Sequence, residues 1–451
     1  MIKHAGPEGW NTWDTYSATT YAFLPDGYGV RVGLKEYLRG QYLQYPNIGR
    51  MGEEERIYPN LHAYDGSYTE LEMEWRRLRV RIQTAAEGRN LVIKVTLLEN
   101  TTRFVPSVIL EAGVFWDRPL SSKRLGQKIV WRNSEKEMAD QTMQVIQGKV
   151  VEDYYCPISS PYLAVELDQP VYVCIGDRCT IPHAERLLGE KRENLVRYGQ
   201  EKYGAYSRAW EGMQTSLAWN LMYDALHDRV LVNVSRLWNI DRGGYAVFCW
   251  DNLFIGLMLA ADEPWLGKNN IHQCLMEAEQ LGFVPNGSFG NGRKSFDRSQ
   301  PPVGALCVWE MYQMDHDSAF LAENFDLLLQ WNRWWYQNRR NGEMMSWGSN
   351  EYDNRWEMPG IHQIEGASLE SGMDNSPIYV PEEVSFHMGK SVLNLWDVAL
   401  NSLYCYDCER LGQIAEILHR KEAAELKERA EQLKARIPRL WNDALGIYCN
   451  Y

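Results

Sequence analysis

Asp374 is the carboxylate whose setting best suits acid chemistry in this sequence. It sits in Glu370-Ser371-Gly372-Met373-Asp374-Asn375-Ser376-Pro377, among small and amide residues that let a polar ligand come close. A general acid must hold its proton near neutral pH, and enclosure by aromatic surface raises a carboxyl pKa to that end. For cleavage of a glycosidic bond such an acid works with a second carboxylate, roughly 6.5–9.5 Å away when a water must fit between them. Glu351, Glu357, Glu365 and Glu370 lie nearby and are rival acids. Residue types alone leave the choice among the five open, and a loop aspartate that caps a helix is the plain alternative.

Three further stretches carry groups suited to polar ligands. Gly243-Gly244-Tyr245-Ala246-Val247-Phe248-Cys249-Trp250-Asp251 passes from a glycine turn through a short apolar strand to a helix start. There Asp251 either complements the helix N-terminus or grips hydroxyls beside a Trp250 wall. Phe283-Val284-Pro285-Asn286-Gly287 precedes Arg298-Ser299-Gln300-Pro301-Pro302. Pro302 suits the first turn of a helix, and Gln300 has both donors and acceptors for hydroxyls. Ser346-Trp347-Gly348-Ser349-Asn350 adds another tryptophan.

The elements that must position these groups change character along the chain. Residues 1–182 read as short strands with period-two alternation, as in Leu71-Glu72-Met73-Glu74-Trp75, 78–82, 91–97 and 171–175. Gly, Asn and Pro separate them, which predicts an antiparallel β-sandwich. Residues 183–204 read as a charged linker helix. From 205 to 451 a helical period dominates, with expected helices at 205–223, 250–261, 266–281, 302–314, 318–340, 390–417 and 419–437. The long connections 282–300 and 341–386 hold the motifs, as functional loops do. The last residues, Gly446-Ile447-Tyr448-Cys449-Asn450-Tyr451, read as a turn entering a strand that stops in mid-pattern, and suggest a cut end.

Composition narrows the partners. The net charge is −13 and no basic block stands out, which argues against nucleic acid and anionic membrane. No apolar run reaches the length of a membrane span, and Met1-Ile2-Lys3-His4-Ala5-Gly6-Pro7 has no apolar signal core, so a cytoplasmic location is expected. Aromatic residues reach 12%, with 18 Trp and 26 Tyr, which suits either a wide helical core or the flat faces of sugar rings. Cys405-x-x-Cys408 lacks the second pair or histidines of a zinc site, and reads as buried free thiols; Cys174 and Cys179 are the other close pair. No Asp-rich calcium loop is present, and no metal or cofactor is expected.

Trp250-Asp251, Arg298-Ser299-Gln300-Pro301-Pro302 and Glu370-Ser371-Gly372-Met373-Asp374-Asn375-Ser376-Pro377, in this order, resemble the glycoside hydrolase family 63 clan. The trehalases of family 37 have similar segments, and Asp397-x-x-Leu400-Asn401 fits the mannosylglycerate-hydrolase-like branch. The resemblance implies a β-sandwich followed by an (α/α)6 toroid and an inverting α-glycosidase acting on α-linked di- or oligosaccharides or small glycosides. It places Asp374 on the general acid and Trp250, Asp251, Gln300 and Gly372 on the sugar subsite, with Trp347 as a further wall residue. About seven of twelve helices are countable, and no residue matches the family's general base, a glutamate expected downstream of Tyr451. The alternative is a non-catalytic carbohydrate-binding module that ends at Tyr451.

Overall fold

The protein is described by a computed structural model covering residues 8–49, 55–133, 140–352 and 363–451. The chain divides into two compact units, Met1–Ile240 and Asp241–Tyr451.

The first unit is built on two antiparallel sheets. One runs in the order Gly9–Asn11, Thr20–Leu24, Tyr28–Lys35, Ser107–Val114, Tyr162–Glu166, Lys149–Val151, with Tyr42–Leu43 also paired to Tyr28–Lys35. The other runs Leu120–Leu125, Lys128–Asn133, Gln141–Gln147, Val171–Ile175, Asn90–Asn100, Leu78–Glu87, Tyr68–Trp75, Glu55–His62. Period-two alternation decides what lies between them. Leu78, Val80 and Ile82 point inward from one sheet and Val30, Val32 and Leu34 from the other, all buried in one shared core. The strands expected at 71–75, 78–82, 91–97 and 171–175 lie inside observed strands.

Two helices belong with these sheets. Helix α1, Ile181–Tyr203, starts behind the N-cap Thr180 with a proline in its first turn. Its Ala184, Leu187 and Leu188 pack on Tyr68, Ala85, Val92 and Tyr172. The stretch read as a linker therefore has an apolar face, which its many charges on the opposite side mask in the sequence. Helix α2 is Ser207–Trp219, and the Trp219 indole donates to the carbonyl of Asn60 at 2.7 Å. The helix expected to reach residue 223 stops early because Leu221–Asp224 pairs with Arg229–Val232. Arg236, fully buried, donates to the carbonyls of Thr12, Asp14 and Leu221 at 2.8, 2.7 and 3.2 Å. Cys174 and Cys179 are joined as a disulfide.

The second unit is helical. It holds α3, Cys249–Ala260; α4, Pro264–Leu275; α5, Gly304–Asp315; α6, Ser318–Asn338; α7, Ile364–Ser371; α8, Val398–Ile417; and α9, Ala423–Arg436. Helices α3 and α4, α5 and α6, and α8 and α9 form three hairpins, and the leading helices touch in series, α3 on α5 and α5 on α8. That is the neighbour pattern of part of an (α/α) toroid. Glycines set the first hairpin: a Cβ on Gly267 would meet the carbonyl oxygen of Gly256 at 2.5 Å, so the two backbones press together. Helix α7 was not expected, and α8 begins at 398 rather than 390. Phe386–His387 pairs with Val392–Leu393, and the Asp397 side chain then caps α8 by accepting from Leu400 N at 2.8 Å. Cys405 and Cys408 are buried free thiols, as expected.

Among the described residues, no helix is long and apolar enough to cross a membrane.

Candidate active site

The site assembles around the start of α3. The short strand Ala246–Phe248 pairs with Gly287–Phe289, and the Cys249 N–H donates to the carbonyl of Asn286 at 3.1 Å. The chain therefore enters the helix next to the 283–287 motif. Trp250 and Asp251 fall in the first turn, where free N–H groups and the helix dipole favour an acidic side chain. Gln300 locks this turn: its Oε1 accepts from Trp250 N at 3.2 Å. Asp251 also takes hydrogen bonds from the side chains of Trp250 and Gln300. Burial nonetheless holds its carboxyl above the usual range, and the charge of Asp374 pushes the same way.

Glu370 ties the motifs together. Its side chain is wholly buried, and both of its oxygens are engaged by protein donors. Arg339 donates through Nε to Oε2 at 2.6 Å and through Nη2 to Oε1 at 2.8 Å. Ser299 N donates to Oε1 at 3.0 Å and Gly348 N to Oε2 at 2.7 Å. One carboxylate at the end of α7 thus fixes the loop after strand Gly287–Phe289, the end of α6 and the 346–350 loop. Asp297 does parallel work: it takes Arg298 Nη1 at 2.8 Å on both oxygens and the Ser349 hydroxyl at 2.6 Å. Arg339 and Asp297 had no signal in the sequence, since neither lies in a recognisable pattern and each acquires its meaning only from partners far along the chain.

Gly372 ends α7 in the left-handed conformation, φ 70°. A Cβ there would lie 2.4 Å from a Trp250 ring carbon, so only glycine lets the chain pass so close to the indole. Two residues on, Asp374 lies at an exposed position. The protein around it still strips away part of its hydration, which raises its carboxyl above the ordinary value; its own N–H and the Arg298 guanidinium pull in the opposite direction. The structure thus brings Trp250, Asp251, Gln300, Gly372 and Asp374 together.

The other candidates are placed elsewhere. Trp347 is only 1% exposed; its ring packs edge-on to Trp335, and its indole lies beside the Tyr379 hydroxyl and the Asp397 carboxylate. Glu351 and Glu365 are exposed. Glu357 lies outside the described residues. Asp397 and Asn401 serve the frame: Asn401 accepts from Met345 N at 2.9 Å and donates to Met345 O at 3.0 Å. Among the described residues, no group of three or more His, Cys, Asp or Glu is arranged to hold a metal ion.

Residues 244–451 match the family model of the mannosylglycerate hydrolase MGH1-like glycoside hydrolase domain. The match takes in nearly all of the helical unit and relates it, at a distance, to the six-hairpin glycosidases. No curated protein matches the sequence. Among solved structures, the family 63 mannosylglycerate hydrolase of Thermus thermophilus, in complex with glucose, is similar at 19% identity over 46% of this chain and 59% of that one, TM-score 0.36. The neutral trehalase of Saccharomyces cerevisiae is similar at 15% identity over 51% of each chain, TM-score 0.37. A family 92 glycosyl hydrolase is similar at 11% identity over 98% of this chain and 65% of that one, TM-score 0.39. The chain spans less than two thirds of the length of each.

Proposed function

We propose that the helical unit belongs to an inverting α-glycoside hydrolase in which Asp374 is the general acid. The observation that carries this reading is the pairing of two partly dehydrated carboxylates, Asp251 and Asp374, with the Trp250 indole and the Gln300 amide at one helix start. The match of residues 244–451 to a glycoside hydrolase domain supports the same class of chemistry.

Each residue then has a task. The half-buried Trp250 gives a flat face for the sugar ring. Asp251 and Gln300, already oriented by each other, take the hydroxyls. Asp374 keeps its proton to higher pH than an ordinary aspartate and delivers it to the leaving oxygen as the glycosidic bond breaks. A water attacks the anomeric carbon from the opposite face and loses its proton to a base, a role assigned to none of the residues discussed above. Glu370 is excluded as the acid because its oxygens are taken up by four hydrogen bonds from protein donors. The substrate is an α-linked di- or oligosaccharide or a small glycoside, and the protein works in the cytoplasm.

The test is the anomer released first, followed by proton NMR during hydrolysis of an α-glycoside by the full-length protein. The proposal expects the β-anomer, with the α-anomer growing only by mutarotation. Initial release of the α-anomer, or no hydrolysis of any α-glucoside, α-mannoside or trehalose, overturns it.

A further inference from the structure

The sheet unit has a cleft of its own, of about 490 Å³, at the sheet edge formed by Lys149–Val151. Tyr37, Phe104, Tyr154 and Tyr155 give it aromatic faces, and Glu152 and Glu166 give it carboxylates. We propose that this cleft is a binding site for a neutral saccharide.

The strand register sets Ser107 and Glu166 in its wall. Lys35 pairs with Ser107, Ser107 with Glu166 and Glu166 with Lys149, a polar row across neighbouring strands. Leu34, Val108 and Val165 belong to the shared core, so the alternation turns this row to the opposite face. The rim is the turn after Lys149–Val151, and the buried Asp153 locks it. Its Oδ1 accepts from Lys35 Nζ at 2.8 Å and from Tyr155 N at 2.9 Å, and its Oδ2 accepts from the Tyr37 hydroxyl at 2.8 Å. Its carbonyl accepts from the Tyr162 hydroxyl. Tyr154 and Tyr155 therefore stand on a fixed backbone, yet they are 82% and 88% exposed.

The chemistry of the lining selects the ligand. Single exposed aromatics are ordinary on a protein surface, but two consecutive ones held at the rim of a cleft mark a contact surface. Tyrosine offers a flat apolar face with a hydroxyl at its edge, which matches a pyranose ring. Each carboxylate comes with a cation. Arg124 donates to Glu152 at 2.5 and 3.1 Å, Lys149 donates to Glu166 at 2.9 and 3.0 Å, and Lys35 donates to Asp153. Paired in this way, the glutamates have their charge matched and still have lone pairs to accept from ligand hydroxyls. Donors and acceptors side by side, next to flat apolar faces, suit a neutral polyhydroxylated ring better than a bare ion. The cleft volume lies within the roughly 300–1,000 Å³ range of small-ligand sites.

The two tyrosines report on the site directly. Maltotetraose, cellotetraose and an α-linked mannotetraose are titrated into the full chain carrying 3-fluorotyrosine, with the fluorine resonances of Tyr154 and Tyr155 assigned by Tyr154→Phe and Tyr155→Phe. Asp374→Asn, run in parallel, keeps hydrolysis from consuming the probe. At least one sugar should shift both resonances to saturation. Tyr154→Ala, read at Tyr155, and Tyr155→Ala, read at Tyr154, should each weaken that binding about tenfold or more. Both side chains are exposed, so the thermal midpoint and the turnover of a small α-glycoside should not change. A sugar shift without any glycoside hydrolysis supports this site while overturning the hydrolase. No shift with any of the three sugars, a binding midpoint that neither alanine variant alters, or a shift with tetramethylammonium in place of sugar overturns the proposal.

Discussion

Arg339 and Glu370 form a two-pronged ion pair with both side chains wholly buried, at 2.6 and 2.8 Å. The pair is isolated from water, and the remaining Glu370 hydrogen bonds run to the backbone of two motif loops. Removing either partner strands a buried charge, which costs about 3–5 kcal/mol. Glu370→Gln and Arg339→Met should each destabilise the helical unit by that order, read as a drop in the urea midpoint by tryptophan fluorescence. Unchanged midpoints would mean that the loops are held by other contacts.

Gly372→Ala should disturb the Trp250 wall. The added methyl meets the indole at 2.4 Å and the backbone is left-handed, so either the ring or the end of α7 must move. A loss of about 1–3 kcal/mol is expected. Near-ultraviolet circular dichroism should change, and sugar binding should weaken with it.

Asp407 gives the helical unit a pH signature. Its carboxylate accepts from Ala305 N at 3.1 Å and from Asn332 Nδ2 at 2.7 Å, and burial pushes its pKa up to about 7. The folded state therefore keeps a proton that the unfolded state has lost. This contribution is fully present below the ordinary value of 3.8 and disappears as pH rises through about 7. Unfolding free energy measured across that window should fall less steeply with pH in Asp407→Asn.

His62 acts in the opposite sense in the sheet unit. Burial, with a smaller push from the Arg236 charge, lowers its pKa to about 3, and its Nε2 lies 2.8 Å from Asn11 Oδ1. The unfolded chain takes up the proton first, so stability is lost as pH falls from 6.5 towards 3. Acid unfolding of the sheets should begin in that window, and His62→Gln should move its onset to lower pH.

The sequence carried the periodic parts of the fold well, because alternation in strands such as Leu78–Glu87 is a local property. It also held the residues that meet at the site, since Trp250-Asp251, Gln300, Gly372 and Asp374 each lie in a distinctive segment. It could not rank the five acids. Burial of Glu370 under Arg339, and exposure of Glu351 and Glu365, depend on contacts tens of residues away. The sequence also could not show that the Trp347 ring is enclosed by protein at 1% exposure, since its neighbour Trp335 is placed there by the fold. Helix α1 read as a linker because its apolar stripe is narrow, and only the sheet it covers reveals that stripe as an interface.

The most direct test of the central claim compares two substrates in Asp374→Asn. An α-glycosyl fluoride leaves without needing a proton, whereas an unactivated α-glycoside needs one. The account predicts that the variant loses about 10²–10⁴ in turnover of the unactivated glycoside and keeps most of its turnover of the fluoride, with sugar binding preserved. Undiminished hydrolysis of the unactivated glycoside, or equal losses on both substrates, would contradict the assignment of Asp374 as the general acid.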